Sequence, residues 1–538
     1  MKGNKMLPVL ALGVAGWASG MPAAARVKPH VILIMTDQQR WDAMGCTSGG
    51  RVITPALDSL AAEGTMFTHA YTSCPSSTPA RAGLLTGLSP WHHGMLGYGE
   101  VAPRYRYEMP RMLREAGYYT FGIGKMHWHP QRERHGFHAT LLDESGRVED
   151  VGFVSDYRQW FRLHAPGLDP DSTGIGWNDH GAGSYVLDER LHPTRWTGGT
   201  ACELIRNYDA ESGQPLFLKV SFARPHSPYD PPARFLQLYA GREIPAPAVG
   251  DWCGKYAAPA DPARVAPDAP FGNFGEEYAR RSRRHYYASV TFVDEEIGKI
   301  IRALKEKGMY DRSLIIFVAD HGDMLGDHHH WRKTYPYEGS SHIPFLVKWP
   351  AGTEGMLPRV DVPVELRDVL PTMLAAAGAD VPADMDGRPL QGPARGETGN
   401  WRRYIDLEHA ACYDADNYWC ALTDGDIKYI WNFHNGTEQL FDLRKDPMEL
   451  HNMAADGKYA SVLQEMRRAM ADHLSERGRR LCARRTACGA PFGYAVRAGL
   501  SPMSCRAGVL RLPRPVCRTR FLWLFCPACL IPATFYFV

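Results

Sequence analysis

Short apolar runs that end in polar residues recur along the chain. They occupy residues 31–35, 216–222, 313–318 and 345–349. β-Branched and aromatic residues are frequent in them, which is typical of buried strands. Helical stretches lie at 53–64, 109–116 and 278–307. Strands that alternate with helices predict an α/β domain with a mostly parallel sheet, and its site should lie beyond the carboxyl ends of the strands.

Two of these runs are followed directly by groups that can bind a metal ion or carry out catalysis. The run at 31–35 leads through Thr36 into Asp37, and the run at 313–318 leads into Asp320 and His321. The segment 143–270, by contrast, is rich in Pro, Gly, Trp and Asp and has little periodicity outside its strand. We expect it to form long ordered loops that shape a substrate pocket.

The pattern changes near residue 395, where short strands replace the alternation. The strands are predicted at 403–408, 418–423, 428–433 and 438–443, and a helix is predicted at 459–476. Asn435-Gly436 is a tight-turn signal between the last two strands. We therefore predict a catalytic domain at 28–394 and a smaller domain at 395–476, built from a four-stranded antiparallel sheet and one helix.

Composition limits the partners of the chain. Its 538 residues are 44% hydrophobic and 22% charged, which is enough for one large domain and a smaller one. The last 62 residues contain 11 Arg but no Lys, Asp or Glu, so the remaining 476 have 50 basic and 59 acidic residues, a formal charge of −9. Such a body does not favour a nucleic-acid partner, and any anion must be bound by a local group of charges.

Both ends of the chain differ from its body. Residues 1–25 combine Lys2 and Lys5, an apolar run and three Ala near a cleavage point. This pattern predicts a signal peptide and export to a bacterial periplasm, with retention as an N-terminal anchor as the alternative. Residues 477–538 are Arg- and Cys-rich, as in an out-of-frame translation. We assign them no function and expect no stable membrane insertion, because Cys and Pro interrupt their short apolar stretch.

The most specific motif is Ser77-Thr78-Pro79-Ala80-Arg81, which is followed by Leu85-Thr86-Gly87. The pattern S-x-P-x-R…L-T-G resembles the recognition sequence of the sulfatase family. In that family the first residue, Cys or Ser, is oxidised to formylglycine, and the hydrated aldehyde attacks sulfur. The resemblance implies this role for Ser77, and it implies an alkaline-phosphatase-like α/β fold. Without the resemblance, Ser77 would be interpreted as a helix N-cap.

The resemblance also implies a metal site. It assigns as ligands Asp37, Gln38, an oxygen of the modified Ser77, Asp320 and His321. Oxygen-rich ligand sets favour Ca²⁺, and the imidazole leaves Mn²⁺ or Mg²⁺ possible. The alternatives are a helix cap for Asp37 and a strand-end turn for Asp320 and His321.

The remaining catalytic groups follow from three further motifs. Arg81 would hold the formylglycine hydrate. Gly124-Lys125-Met126-His127 resembles the family's G-K-x-H, so that Lys125 would bind sulfate and His127 would accept a proton when the intermediate breaks down. His226, in Arg224-Pro225-His226, would be the general acid, and Lys333 would bind sulfate. The opposite assignment of the two histidines stays open.

The sequence thus predicts an exported enzyme that hydrolyses sulfate monoesters on a sulfated glycan sugar. Serine in place of cysteine at position 77 implies activation by a Ser-type sulfatase-maturating enzyme. One alternative is a phosphonate monoester or phosphodiester hydrolase of the same superfamily. Another is a non-catalytic protein that binds sulfated glycans with Ser77 unmodified.

Overall fold

A computed structural model describes residues 28–410 and 412–477. The predicted signal peptide at 1–25 and residues 478–538 of the predicted aberrant tail lie outside the described residues. Within the described ranges, no helix is both long enough and apolar enough to cross a membrane.

An eight-stranded sheet forms the centre of the larger unit. Its strands are β1 (His30–Asp37), β2 (Thr65–Tyr71), β3 (Tyr119–Gly124), β4 (Ala139–Leu142), β5 (Leu216–Pro225), β6 (Ser313–Ala319), β7 (Phe345–Lys348) and β8 (Arg359–Glu365). They are ordered β4-β3-β5-β1-β6-β7-β2-β8. All neighbours are parallel except β7, which is antiparallel to both β6 and β2. The predicted α/β class and mostly parallel sheet are confirmed.

The helices of this unit cover both faces of the sheet. They are α1 (Gly45–Ser48), α2 (Pro55–Glu63), α3 (Ser77–Thr86), α4 (Pro90–His93), α5 (Met109–Glu115), α6 (Asp156–His164), α7 (Pro193–Asn207), α8 (Ala233–Gln237), α9 (Glu276–Glu306), α10 (Glu338–Ser341), α11 (Val369–Ala376) and α12 (Gln391–Ala394). Helices α2 and α7 pack with α9 on one side, and α3, α5 and α11 pack together on the other.

Strand β1 shows why the central runs are uniformly apolar. Val31, Leu33 and Met35 belong to one hydrophobic core, and Ile32 and Ile34 belong to the core on the opposite face. Successive side chains of a strand point to opposite faces, so a strand covered on both sides needs apolar residues at every position.

The second unit confirms the predicted antiparallel sheet and helix. Its strands are β9 (Ile405–His409), β10 (Trp419–Thr423), β11 (Ile427–Asn432) and β12 (Glu438–Asp442), in the order β12-β11-β10-β9. Helix α13 (Ala460–Leu474) covers one face, where Leu463 and Met466 pack on Leu422. The other face packs on the larger unit through Trp419 and Tyr71. The boundary at 394/395 stays a prediction.

The segment 143–270 is more regular than its composition suggests. It contains α6, α7 and α8 in addition to β5, although only loops and one strand were expected. Helix α7 includes Gly198 and Gly199, which disfavour a helix. It forms because it packs against α9, burying Ala201 and Ile205. Tertiary packing therefore outweighs weak intrinsic propensity here.

Candidate active site

The carboxyl ends of β1 and β6 bring two aspartates together. The two strands are parallel neighbours in a register that pairs Thr36 with Ala319, so Asp37 and Asp320 follow at the same edge. Both carboxylates are fully buried, as is His321. The position beyond the carboxyl edge of the sheet, expected from the strand pattern, is where these groups lie.

These three residues fit a divalent cation. Their nearest donor atoms all lie within 4.8 Å of one another. Ca²⁺ binds oxygen at about 2.3–2.6 Å, so two ligands of one ion lie at most about 5 Å apart. Asp37 Oδ1 is buried and has no hydrogen-bond partner in the described chain. His321 Nδ1 donates to the Gly322 carbonyl at 2.8 Å, which leaves Nε2 as a lone-pair donor for a metal.

Ser77 lies beside this group at the beginning of α3. Its Oγ is 3.0 Å from His321 Nε2, and its side chain is fully buried. Ser77 is the first helical residue, and the N-cap position is occupied by Ser76 rather than by Ser77. Ser76 Oγ instead contacts His409 Nε2 of β9 at 3.0 Å. The N-terminus of α3 directs backbone N–H groups and a favourable dipole toward anionic oxygen near Ser77.

Arg81 joins the two aspartates. One helical turn after Ser77, its guanidinium donates to Asp320 Oδ2 at 2.9 Å and to Asp37 Oδ2 at 3.0 Å. It also donates to Ser221 Oγ at 3.0 Å and to the Lys125 carbonyl at 2.7 Å. A guanidinium bonded on so many sides is held rigidly, and it fixes the carboxylates for the cation.

Lys125 adds a second buried cation. It follows β3, and its Nζ lies 2.6 Å from Asp37 Oδ2. Burial would raise the pKa of Asp37, but the charges of Lys125 and Arg81 hold that pKa well below its usual value. Asp37 is therefore ionised, as a metal ligand must be.

Lys333, His226 and Gln38 form a neighbouring group. Lys333 Nζ lies 2.7 Å from His226 Nε2 and 2.9 Å from Gln38 Oε1. The side-chain amide of Gln38 donates to Asp323, and its backbone N–H donates to Asp320 Oδ1 at 2.9 Å. The side-chain oxygen Oε1 of Gln38 therefore already accepts a hydrogen bond from the Lys333 ammonium. The role of Gln38 as a metal ligand stays a prediction.

The surroundings of His226 bear on its expected role as the general acid. Burial, with Lys333 adding to the effect, holds the pKa of His226 well below its usual value. Its Nδ1 donates to the Ser227 carbonyl at 2.9 Å, so Nε2 accepts from Lys333. Burial also lowers the pKa of Lys333, to about 7. The transferable proton thus resides on the ammonium rather than on the imidazole.

His127 lies on a strained loop after β3. Its φ is +59°, and the backbone N–H groups of Met126 and His127 donate to Glu144 Oε1 at 2.8 and 3.0 Å. Its Nε2 is 3.4 Å from the Tyr98 hydroxyl. Gly99, which follows Tyr98 in the chain, donates its backbone N–H to Oγ1 of Thr78, the residue after Ser77. Burial lowers the pKa of His127 well below its usual value, so the imidazole is neutral and able to accept a proton.

Several side chains that hold this arrangement were not predicted. They are Ser76, Tyr98, Glu144, Trp177, Ser221, Asp323 and His409. Ser221 carried a usable signal, because a polar residue inside an apolar strand indicates a specific partner. Glu144 and Asp323 carried none, since only the fold brings them to the loop and to Gln38.

Comparisons with known proteins agree with this geometry. Residues 29–379 match the family model described as Sulfatase, and residues 326–476 match the model described as N-sulphoglucosamine sulphohydrolase, C-terminal. An arylsulfatase from Clostridium perfringens is 35% identical over 469 residues, covering 84% of this chain and 95% of the relative.

Other relatives cover similar lengths. A choline-sulfatase from Rhizobium meliloti is 31% identical over 79% of this chain and 82% of its own. An N-acetylglucosamine-6-O-sulfatase from Bacteroides thetaiotaomicron is 26% identical over 87% and 90%. The crystal structure of a phosphonate monoester hydrolase from Agrobacterium radiobacter superposes with a TM-score of 0.70 at 25% identity, covering 84% of this chain and 96% of that one.

An alkaline-phosphatase-like sheet with a buried Asp-Asp-His group beside an S-x-P-x-R helix defines a hydrolase of anionic esters. Together with the match over most of its length, this means that the chain belongs to the sulfatase family and is a sulfuric ester hydrolase.

Proposed function

We propose that this sulfatase acts on sulfated sugars, through a formylglycine formed from Ser77 and a divalent cation held by Asp37, Asp320 and His321. The observation that carries the proposal is the position of Ser77 Oγ, 3.0 Å from His321 Nε2, at the N-terminus of α3. When present, the hydrated formylglycine supplies the attacking hydroxyl, and the cation supplies charge stabilisation. The ion expected from the oxygen-rich ligands is Ca²⁺.

Buried cations would bind the sulfate group. Lys125 and Lys333 are both less than 5% exposed, and they carry ammonium groups able to neutralise nonbridging oxygens. Such contacts are strong in a site shielded from water, because the local dielectric constant is low. Arg81 contributes by holding Asp37 and Asp320 in place.

The leaving oxygen needs a proton, and the Lys333–His226 pair can provide it. Lys333 Nζ holds the proton 2.7 Å from His226 Nε2, so either atom can deliver it to an alcohol that leaves. His127 is neutral and is linked to α3 through Tyr98 and Gly99, so it is suited to accept a proton when ester hydrolysis is completed.

Aromatic and guanidinium groups near these histidines favour a sugar. Trp177 stacks near His226, with ring centroids 6.2 Å apart, and the Arg147 guanidinium lies 5.9 Å from the Trp177 ring. Aromatic faces suit sugar rings, and an arginine suits a hydroxylated or anionic neighbour. The N-acetylglucosamine-6-O-sulfatase relative supports the sugar assignment.

The maturation and location of the protein belong to the same proposal. A serine at position 77 needs a Ser-type maturating enzyme, which would act before export. The apolar run within 1–25 and its small-residue end support export to a bacterial periplasm.

The test begins with protein coexpressed with a Ser-type maturating enzyme. We expect the peptide that contains Ser77 to lose the mass of two hydrogen atoms, and the protein to hydrolyse 4-nitrophenyl sulfate and N-acetylglucosamine-6-sulfate in preference to choline sulfate. Ser77→Ala is the matched control and should be inactive. An unmodified peptide, alongside a converted control sulfatase, would contradict the proposal and favour the glycan-binding alternative.

The phosphonate monoester hydrolase alternative has one observation in its favour, the similarity of its fold. An aryl phosphodiester assayed with the same preparation separates the two functions. Faster turnover of the diester than of the aryl sulfate would make the phosphodiesterase activity the principal one.

A further inference from the structure

A second group of cations lies outside the active site, around a groove of about 420 Å³. Its five arginines are Arg104, Arg111, Arg114, Arg132 and Arg134, and its acidic residues are Glu108 and Glu133. We call it the arginine groove. Its formal charge of +3 contrasts with the charge of −9 carried by residues 1–476. The volume lies within the range of about 300–1,000 Å³ that is usual for ligand sites.

The two carboxylates of the groove are already satisfied by the protein. Glu108 is 1% exposed and accepts from His135 Nδ1 at 2.8 Å, with Arg111 Nε at 3.1 Å. Glu133 accepts from Arg104 at 2.6 Å and from the backbone N–H groups of Arg134 and His135. The acidic groups therefore brace the wall of the groove, while much of the guanidinium surface remains in solvent.

The guanidinium groups are placed to bind an extended anion. Arg111 and Arg114 are three residues apart on α5, so they share one face of the helix. Arg104 is 68% exposed and Arg132 is 44% exposed. Arg104 donates to Glu133 and to the Pro103 carbonyl, and Arg132 donates to Asp156 and to the Val154 carbonyl. Arg114 has no side-chain hydrogen bond in the described ranges 28–410 and 412–477. Guanidinium edges match the oxygen pairs of sulfate groups.

The groove is joined to the active site by one short loop. Lys125 and His127 lie at its beginning, and Arg132 and Arg134 lie at its end. Arg132 is five positions after His127 in the sequence, so their Cα atoms are at most about 18 Å apart. Trp128, in this loop, packs edge to face at 4.5 Å against His135, just after the loop, and this contact holds the course of the loop.

We propose that the arginine groove binds a polysulfated polysaccharide chain outside the catalytic pocket. The identity of the anion as a sulfated glycan rests on the proposed function, whereas the existence of the groove does not. Bound there, a polymer is retained near the site while individual sulfate esters are cleaved. A short sulfated sugar that occupies only the catalytic pocket gains nothing from the groove.

The experiment compares two triple variants in the full, matured protein. The groove variant is R104Q/R114Q/R134Q. The control variant is R190Q/R264Q/R359Q, which removes the same charge from three arginines that are 86%, 86% and 60% exposed elsewhere. Binding of dextran sulfate is measured by calorimetry, with neutral dextran as a blank. The measurement is made at low salt and at 0.15 M salt, where the Debye length is about 8 Å.

The groove variant should bind dextran sulfate at least about tenfold more weakly than the wild type, because three exposed charge contacts are lost. The control variant should bind like the wild type, and all three proteins should hydrolyse 4-nitrophenyl sulfate equally. Equal binding by the groove variant, or an equal loss in the control, would overturn the proposal. Double-stranded DNA that binds as tightly as dextran sulfate would overturn the assignment to a glycan.

The two proposals fail separately. Loss of polymer binding in the groove variant of a protein that turns over no sulfate ester would contradict the proposed function and leave the groove in place. If the matured protein is fully active on sulfated sugars and the groove variant binds the polymer unchanged, the groove proposal fails and the proposed function stands.

Discussion

The active site and the arginine groove both gather cations, but they hold them in opposite ways. The side chains of Arg81 and Lys125 are fully buried and lie against Asp37. Arg104 and Arg132, in the groove, are 68% and 44% exposed, and their carboxylate partners Glu133 and Asp156 are 24% and 21% exposed. The same residue chemistry is therefore used once in a dry, rigid group and once in solvent.

The difference teaches what each kind of charge can do. A buried ion group costs desolvation energy and must be completely paired, but in return it holds charges at fixed positions in a low-dielectric environment. An exposed arginine costs little and fixes nothing, and it attracts anions over a distance set by the salt concentration. The first arrangement suits bond breaking, and the second suits retention of a charged polymer.

The largest expected contrast is between Arg81→Met and Arg114→Gln. Removing Arg81 leaves Asp37 and Asp320 partly unpaired in the interior, and we expect the free energy of unfolding to fall by about 3–5 kcal/mol. Arg114→Gln should change it by no more than about 0.5 kcal/mol. Urea unfolding measures both. Similar losses in the two variants would remove the distinction between the regions.

Asp37→Asn separates metal binding from overall charge. The substitution removes the negative charge of a ligand carboxylate. We therefore expect the affinity for the cation to fall by more than the roughly 10–100-fold that is typical when a hydrogen-bond partner of a metal ligand is mutated. Elemental analysis after dialysis should find less bound metal, and turnover of sulfate esters should fall with it. Arg134→Gln removes a charge of the groove and should leave the metal content unaltered. Full metal content in Asp37→Asn would contradict the assigned ligand set.

Lys333→Met tests the proton carried by the Lys333–His226 pair. Loss of proton delivery should slow hydrolysis of a sugar sulfate by about 10²–10⁴-fold. Hydrolysis of 4-nitrophenyl sulfate should slow less, because nitrophenolate leaves without a proton. The ratio of the two rates is the readout, and an equal loss on both substrates would point to sulfate binding alone. Groove variants should leave this ratio unchanged.

Acid should weaken the folded protein before it affects the groove. Burial lowers the pKa values of His30, His180 and His328 to about 4. In the unfolded chain these imidazoles take up protons near pH 6.5, so the stability they contribute is complete above that pH and is lost as the pH falls toward 4. The urea midpoint should be lower at pH 5 than at pH 7. The groove arginines stay charged throughout, and a midpoint independent of pH would contradict the assigned burial.

Ser76→Ala should have the smallest effect. It removes the contact of 3.0 Å between Ser76 Oγ and His409 Nε2, which joins the start of α3 to β9. We expect a loss of about 1 kcal/mol in the free energy of unfolding, rising toward 3 kcal/mol if His409 is left without a partner. Ser172→Ala, at an exposed loop position, serves as the control. Equal effects would mean that the contact contributes nothing specific.

Much of the fold could be predicted because its signals are local. Apolar runs at 31–35 and 313–318 became β1 and β6, and the turn signal at Asn435-Gly436 lies between β11 and β12. The helices in 143–270 could not be predicted, since α7 depends on its packing against α9. Local propensity is a weak guide wherever long-range burial determines the conformation.

The candidate site shows the same division. The positions of Asp37 and Asp320 follow from adjacent parallel strands, and Ser77 and Arg81 follow from a short motif. The contact between Lys333 and His226 joins residues 107 positions apart, and no spacing in the sequence indicates it. The arginine groove was also not predicted, because its arginines are scattered over residues 104–134 among ordinary surface charges.

By itself, the sequence determined which strands end in metal-binding groups, which serine begins the helix, and that the body of the chain is acidic. These properties depend on neighbouring residues, whose spacing is set by helix and strand geometry. Only the tertiary structure decided that Arg81 joins two carboxylates, that Lys333 holds the proton beside His226, and that five arginines share one groove. Those outcomes depend on which distant segments pack together and on how much water their packing excludes.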